Sequence, residues 1–192
     1  MQLLSVISRV IDRLNRWIGR ATSWFILASV LITAGNATVR KIFDDSSNAW
    51  LEIQWYLYGA AFLLAAGYVL LVDEHVRIDA VAQRFPVRLR TWIDVVALVL
   101  FVLPLCGLML ALGGAYFWRA WVSGETSYNA GGLIRRPIYM CIPLGFGLLG
   151  LRAISELIKR IEFLRGRRTR PTTREAELPE FLGGAPIDGA RS

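Results

Sequence analysis

Four long apolar windows leave few architectures open to this chain. They cover about residues 17–39, 51–72, 93–117 and 137–158. At 1.5 Å per residue, a helix over any of them crosses the roughly 30 Å of bilayer hydrocarbon. The fourth window is the weakest, because Arg152 and Glu156 interrupt its last turns. A 192-residue chain that is 55% hydrophobic, with a mean hydropathy of +0.44, is too apolar for an ordinary soluble domain. The expectation is an all-α membrane protein with four transmembrane helices, supplemented by short interfacial amphipathic helices. The connections are too short for a second folded domain. The chain divides into an amphipathic segment over 1–16, a four-helix membrane domain over 17–162, and a basic tail over 163–192.

A net charge of +7 and a pI near 10.0 would point a soluble protein toward nucleic acid. Here the placement of the charges matters more than their sum. Of the 22 basic residues, seventeen fall on one set of alternating segments: the N-terminal end, the connection between the second and third windows, and the region from Arg152 onward. Only five fall on the other set, namely Arg40, Lys41, Arg119, Arg135 and Arg136. The positive-inside rule then places both termini in the cytoplasm, N-in and C-in. The basicity is a topology signal, and no nucleic-acid partner is expected.

The two cysteines, Cys106 and Cys141, fall inside apolar windows, where free thiols pack as small apolar groups. Basic residues before the first window and small residues at its end imitate a signal peptide. Its apolar region is longer than such a peptide's, so it is expected to stay as a span.

Within residues 3–14, Leu3, Leu4, Ile7, Val10, Ile11 and Leu14 recur at helical spacing, with Ser8, Arg9, Asp12, Arg13 and Asn15 on the other side. That pattern suits a helix at the cytoplasmic membrane interface, and equally an extension of the first span. Asn48 can cap the second span. Glu52 then has two readings: an anion favoured near a helix N-terminus, or an intramembrane carboxylate facing a partner or a pathway. Trp50, Trp55, Tyr56 and Tyr58 match an interfacial aromatic belt.

The connection over 72–92 alternates charged and apolar residues, and Pro86 is expected to break it into two short pieces along the cytoplasmic surface. His75 is the only histidine. With no second histidine or nearby cysteine, neither a metal nor a haem site is expected. Pro104 should kink the third span, and Gly107, Gly113 and Gly114 should permit close helix contact. Asp94 reads as an anion near the start of that span. Residues 118–136 form the longest external segment, with turns at Gly124, Gly131 and Gly132.

Gly145-Phe-Gly-Leu-Leu-Gly150 matches the GxGxxG dinucleotide pattern by letter. A true fingerprint follows a strand and opens a helix, whereas this one lies inside an apolar span, so the glycines and Cys141 read as a helix-packing face. Arg152 and Glu156 are spaced to pair at i, i+4. The tail, with its run of arginines over 165–170, is expected to be disordered and to rest on anionic headgroups. No window supplies a convergent set of nucleophiles, acids, bases or metal ligands, so an enzyme is not expected. A self-sufficient carrier would show internal repeats and broken helices. What remains is a structural partner for another protein.

Several stretches carry a specific resemblance. They are Glu52-Ile-Gln54-Trp55 opening the second span, His75-Val-Arg77-Ile-Asp79 after it, Gly124-Glu125-Thr-Ser127 outside, and Gly131-Gly132-Leu with Pro137 opening the fourth span. Over about residues 10–162 the chain resembles the small permease subunit of tripartite ATP-independent periplasmic (TRAP) transporters. EIQWYLYGAAFLL, AGGL and IPLGFGLL look most like the branch associated with 2-oxo acids, mannitol-type and chloroaromatic substrates. Arg136 departs from the aromatic residue expected before Pro137.

The resemblance implies a multi-pass protein of the bacterial inner membrane with three partners: a large permease subunit, a periplasmic substrate-binding protein and the lipid bilayer. The large subunit would move an organic acid anion with sodium. The small subunit would brace it and help dock the binding protein. No catalytic, metal or cofactor residue is implied. The interface candidates are Glu52, Gln54, Trp55, His75, Arg77, Asp79, Gly124, Glu125, Ser127, Gly131, Gly132 and Pro137. The competing class is an independent four-span adaptor or homo-oligomer without a transport role.

Overall fold

The structure, a computed structural model, describes residues 2–43, 47–72, 86–129 and 131–166, with side chains from Ser8 onward. Four helices are long and apolar enough to cross a membrane. We label them α1 (Gln2–Phe43), α2 (Asn48–Val72), α3 (Val87–Ser123) and α4 (Arg136–Leu164). The described residues contain no β-strand, only an isolated antiparallel bridge between Thr126 and Ile134. The expected His75, Arg77 and Asp79, and the tail from residue 167, lie outside the described residues.

The 42 residues of α1 run without a break, a length of about 63 Å. Residues 2–16 and the first apolar window are therefore one helix. The polar side of its first half faces inward: Ser8, Asp12, Asn15 and Thr22 are buried, while Val10, Leu14 and Trp17 are exposed. This inverts the usual arrangement of a surface helix, as a bilayer makes outward apolar groups cheap and lone polar ones costly.

Pro86 sits immediately before α3 in extended conformation. Its missing N–H costs nothing there, and the chain from Val87 continues directly into the third span. This corrects the expectation that a separate surface piece follows Pro86. Within α3, Leu98–Val102 forms a π-helical turn, closed by the Leu103 N–H donating to the Leu98 carbonyl. Pro104 lies just beyond it in the first turn of the resumed α-helix, and the wider turn gives its ring room against the preceding carbonyls.

The helices associate in the order α1, α2, α4, α3, with a further contact between α1 and α4. Between α2 and α4 the approach is closest at Gly145, where a Cβ would lie 2.5 Å from the Leu63 carbonyl oxygen. On the opposite side of α4, a Cβ on Gly150 would meet the Cys106 Cβ of α3 at 3.4 Å. The GxGxxG letters are thus two packing faces on one helix. Gly113 of α3 likewise abuts Ile142, whereas Gly107 and Gly114 have nothing within 4 Å. The buried apolar core joins Leu70, Leu98 and Ala153.

Candidate functional site

Two clusters of polar side chains stand at opposite ends of the helices. At one end, α3 finishes at Ser123 and Gly124 takes a left-handed φ of 67°, which a residue without Cβ adopts at little cost. The chain then doubles back as a short hairpin. Ser127 N–H donates to the Leu133 carbonyl at 2.9 Å, and Arg135 N–H donates to the Glu125 carbonyl at 3.2 Å. Gly131 supplies a second left-handed turn residue, φ 71°. Gly132 is pressed against Ser127, whose Cβ would lie 2.5 Å from an added Cβ. Pro137 stands in the first turn of α4, where its lack of a donor is harmless.

Glu52 closes this hairpin from beneath. It retains 1% of its accessible surface. One carboxylate oxygen accepts from the Ser127 hydroxyl and from Asn129 Nδ2 at 2.8 Å. The other accepts from the Leu133 N–H at 2.7 Å. These bonds join residues 75 to 81 positions apart. Glu52 sits in the first turns of α2, near the helix N-terminus, and these three donors all come from the chain's own 124–135 segment.

A second layer stiffens the hairpin. Arg135 pairs with Glu125 at 3.3 Å and donates to the Tyr139 hydroxyl at 3.3 Å. That hydroxyl bond, chiefly, raises the Arg135 guanidinium above its ordinary pKa, so it stays charged. The same guanidinium lies 4.9 Å from the Tyr128 ring centroid, and Tyr128 is 88% exposed. Arg136, the departure from the expected aromatic, stacks over Trp121 at 5.2 Å, so a cation fills the aromatic's place against a ring.

Gln54 and Trp55 lie apart from the hairpin bonds described above. The Gln54 carbonyl accepts from Ser29 of α1 at 3.1 Å, tying α1 to α2. Trp55 is exposed and meets Tyr56 edge to face at 5.3 Å. The structure thus brings Glu52, Gly124, Glu125, Ser127, Gly131, Gly132 and Pro137 together. Asn129, Arg135 and Tyr139 complete the group without having been singled out; their signal was polar residues in an otherwise apolar chain.

The second polar site lies at the opposite end of the helices, where the first half of α1 meets the last turns of α4. Arg152, Glu156, Lys159 and Arg160 of α4 are all buried. Arg152 bonds Asp12 of α1 and Glu156 at 2.5 Å. Lys159 reaches the other Asp12 oxygen at 2.5 Å. On the far side, Arg160 faces Glu156 at 3.1 Å and Asp94 of α3 at 3.4 Å. Ser155 donates to Asp12 at 3.2 Å, and its hydroxyl lies 2.6 Å from that of Ser8. Among the described residues, three acids and three bases meet here, and the network joins α1, α3 and α4. Arg152 does not snorkel to water as a lone cation would. No group of three or more His, Cys, Asp or Glu side chains among the described residues can hold a metal.

A family model described as "Tripartite ATP-independent periplasmic transporters, DctQ component" matches residues 29–163. The chain belongs to the DctQ family. As the small permease component of a TRAP transporter, a DctQ protein works with other transporter components in the membrane, consistent with the four apolar helices here. The matched region holds Glu52, the whole hairpin and the α4 side of the charge network; Asp12 lies before it. A search of curated proteins finds no match.

Proposed function

We propose that this DctQ protein is a bacterial inner-membrane subunit that braces the large permease subunit and helps dock the periplasmic binding protein during sodium-coupled uptake of an organic acid anion. The observation that carries the reading is the division of the molecule. The polar groups of the hairpin and of the charge network bind the chain's own helices, while apolar faces are left exposed. On α3, Leu100, Phe101, Leu105, Leu108 and Leu112 are exposed, and Gly107 and Gly114 offer bare backbone beside them. Small residues on an apolar face allow a neighbouring helix to approach closely.

The hairpin supplies a preformed surface on the side where a binding protein would arrive. Interface candidates for these two partners remain those named from the sequence, with Glu52 acting from within. The likeness of EIQWYLYGAAFLL, AGGL and IPLGFGLL to one branch of the family supports a 2-oxo acid, mannitol-type or chloroaromatic substrate class.

Reconstituted uptake with each component omitted in turn tests the reading. Uptake should require this chain, the large subunit, the binding protein and an inward sodium gradient. Full uptake without this chain would overturn the bracing role and favour the four-span adaptor or homo-oligomer.

A further inference from the structure

Among its described residues, the hairpin between Gly124 and Arg135 is held by an isolated bridge and by backbone hydrogen bonds from Ser127 to Leu133, Arg135 to Glu125 and Gly132 to Asn129. A two-stranded hairpin this short is marginal on its own. Yet three donors from both of its arms converge on a single carboxylate: Ser127 and Asn129 from the outgoing arm, Leu133 from the returning one. Glu52 belongs to neither arm. It rises from α2, a rigid helix anchored by packing to α1 and α4. A carboxylate is the one side chain that accepts from all three, because it carries only acceptors.

We propose that Glu52 is a positioning residue: it sets the shape of the external hairpin and thereby presents Tyr128 as the anchor for the periplasmic binding protein. The claim rests on the docking role given to the hairpin above. Tyr128 is 88% exposed, the highest among the described large apolar side chains, yet its ring lies against Arg135, which in turn is held by Glu125 and Tyr139. A rigid, exposed aromatic braced by arginine is the kind of group that carries binding energy at protein interfaces. Fixing it in advance lowers the ordering cost of association.

Glu52→Gln keeps the shape but sets an NH2 group against one of the three donors. In the assembled transporter, amide exchange at Ser127 and Arg135 should then quicken by about tenfold, the size expected for one charge-assisted hydrogen bond. Affinity for the transporter's own binding protein should fall by a similar factor. Thr126 and Ile134 face each other as a non-hydrogen-bonded antiparallel pair, flanked by the Ser127–Leu133 and Arg135–Glu125 bonds, a spacing that accepts a disulfide. With Cys106 and Cys141 replaced by Ala, a T126C/I134C disulfide should bring the Glu52→Gln protein back to the affinity of the same disulfide protein with Glu52 intact.

Unchanged amide exchange in Glu52→Gln overturns the proposal. Weakened docking that the disulfide does not restore also overturns it, since Glu52 would then touch the partner itself. If exchange quickens but docking holds, the positioning role falls; Tyr128→Ala then separates the two readings, because docking that survives it as well removes the hairpin's docking role. Should Glu52→Gln fail to assemble, Ser127→Ala and Asn129→Ala, each removing one donor, give the same readouts.

Discussion

The Asp12 carboxylate and the Arg152 guanidinium, 140 residues apart, bond directly where α1 packs against α4. Arg152 retains 1% of its accessible surface. Asp12 also holds Lys159, so one acid on α1 answers two bases on α4.

Removing that acid takes one carboxylate from each base and leaves Glu156 facing both. Asp12→Leu should therefore destabilise the protein by on the order of 3 kcal/mol. Pairing it with Lys159→Leu removes one charge of each sign and leaves Arg152 and Arg160 facing Glu156 and Asp94. Thermal unfolding in detergent should show the double variant recovering most of the lost stability. A double variant as unstable as the single one would mean that shape, not charge balance, governs the site.

The Ser8 and Ser155 hydroxyls lie 2.6 Å apart. With the native cysteines replaced by Ala, Ser8→Cys with Ser155→Cys should form a disulfide under mild oxidation, read as a gel-mobility shift lost on reduction. Failure to cross-link would place the first turns of α1 away from α4.

Two glycines should respond in opposite ways to Ala. At Gly145 the new methyl meets the Leu63 backbone at 2.5 Å, so the variant should lose about 1–3 kcal/mol through overpacking. At Gly107 there is nothing within 4 Å, and inside a helix Ala should raise the stability of the isolated subunit by up to about 1 kcal/mol. If Gly107→Ala nonetheless weakens co-purification with the large subunit, that face of α3 is where the two proteins touch.

Arg136→Tyr should keep the contact with Trp121 by exchanging a cation–π pair for an aromatic pair. Arg136→Ala should lose it, at a cost of about 0.5–2 kcal/mol. Melting temperatures that rank wild type and Tyr together above Ala would bear this out.

How far the sequence reached depends on the kind of signal. Apolar length is local, so four membrane-crossing helices were legible directly, and the turn glycines Gly124 and Gly131 were legible from conformational preference. The Arg152–Glu156 pair was legible because i, i+4 spacing fixes proximity within one helix. Asp12 was not, because its partners are brought to it only by packing. Its stripe with Ser8 and Asn15 read as an outward polar face, and periodicity cannot say which face points inward when the surroundings are lipid. Glu52 was recognised as unusual, while the identity of its donors depended on how the 124–135 segment folds back.

The π-helical turn in α3 has a consequence for how that helix keeps time with its neighbours. Its buried positions are Thr91, Val95, Leu98, Cys106, Gly113 and Ala120. Thr91 to Leu98, Cys106 to Gly113 and Gly113 to Ala120 are heptad steps; Leu98 to Cys106 is one residue longer. In an unbroken α-helix that extra residue would swing the outer half about 80° off the buried seam. The wider turn absorbs it, and Val99, Leu100 and Phe101, all exposed, form the bulge. Deleting one of these three should preserve the phase of both halves and cost only renewed crowding at Pro104. Inserting a second residue should turn Cys106 and Gly113 away from α4 and uncouple the outer half of the helix from its groove.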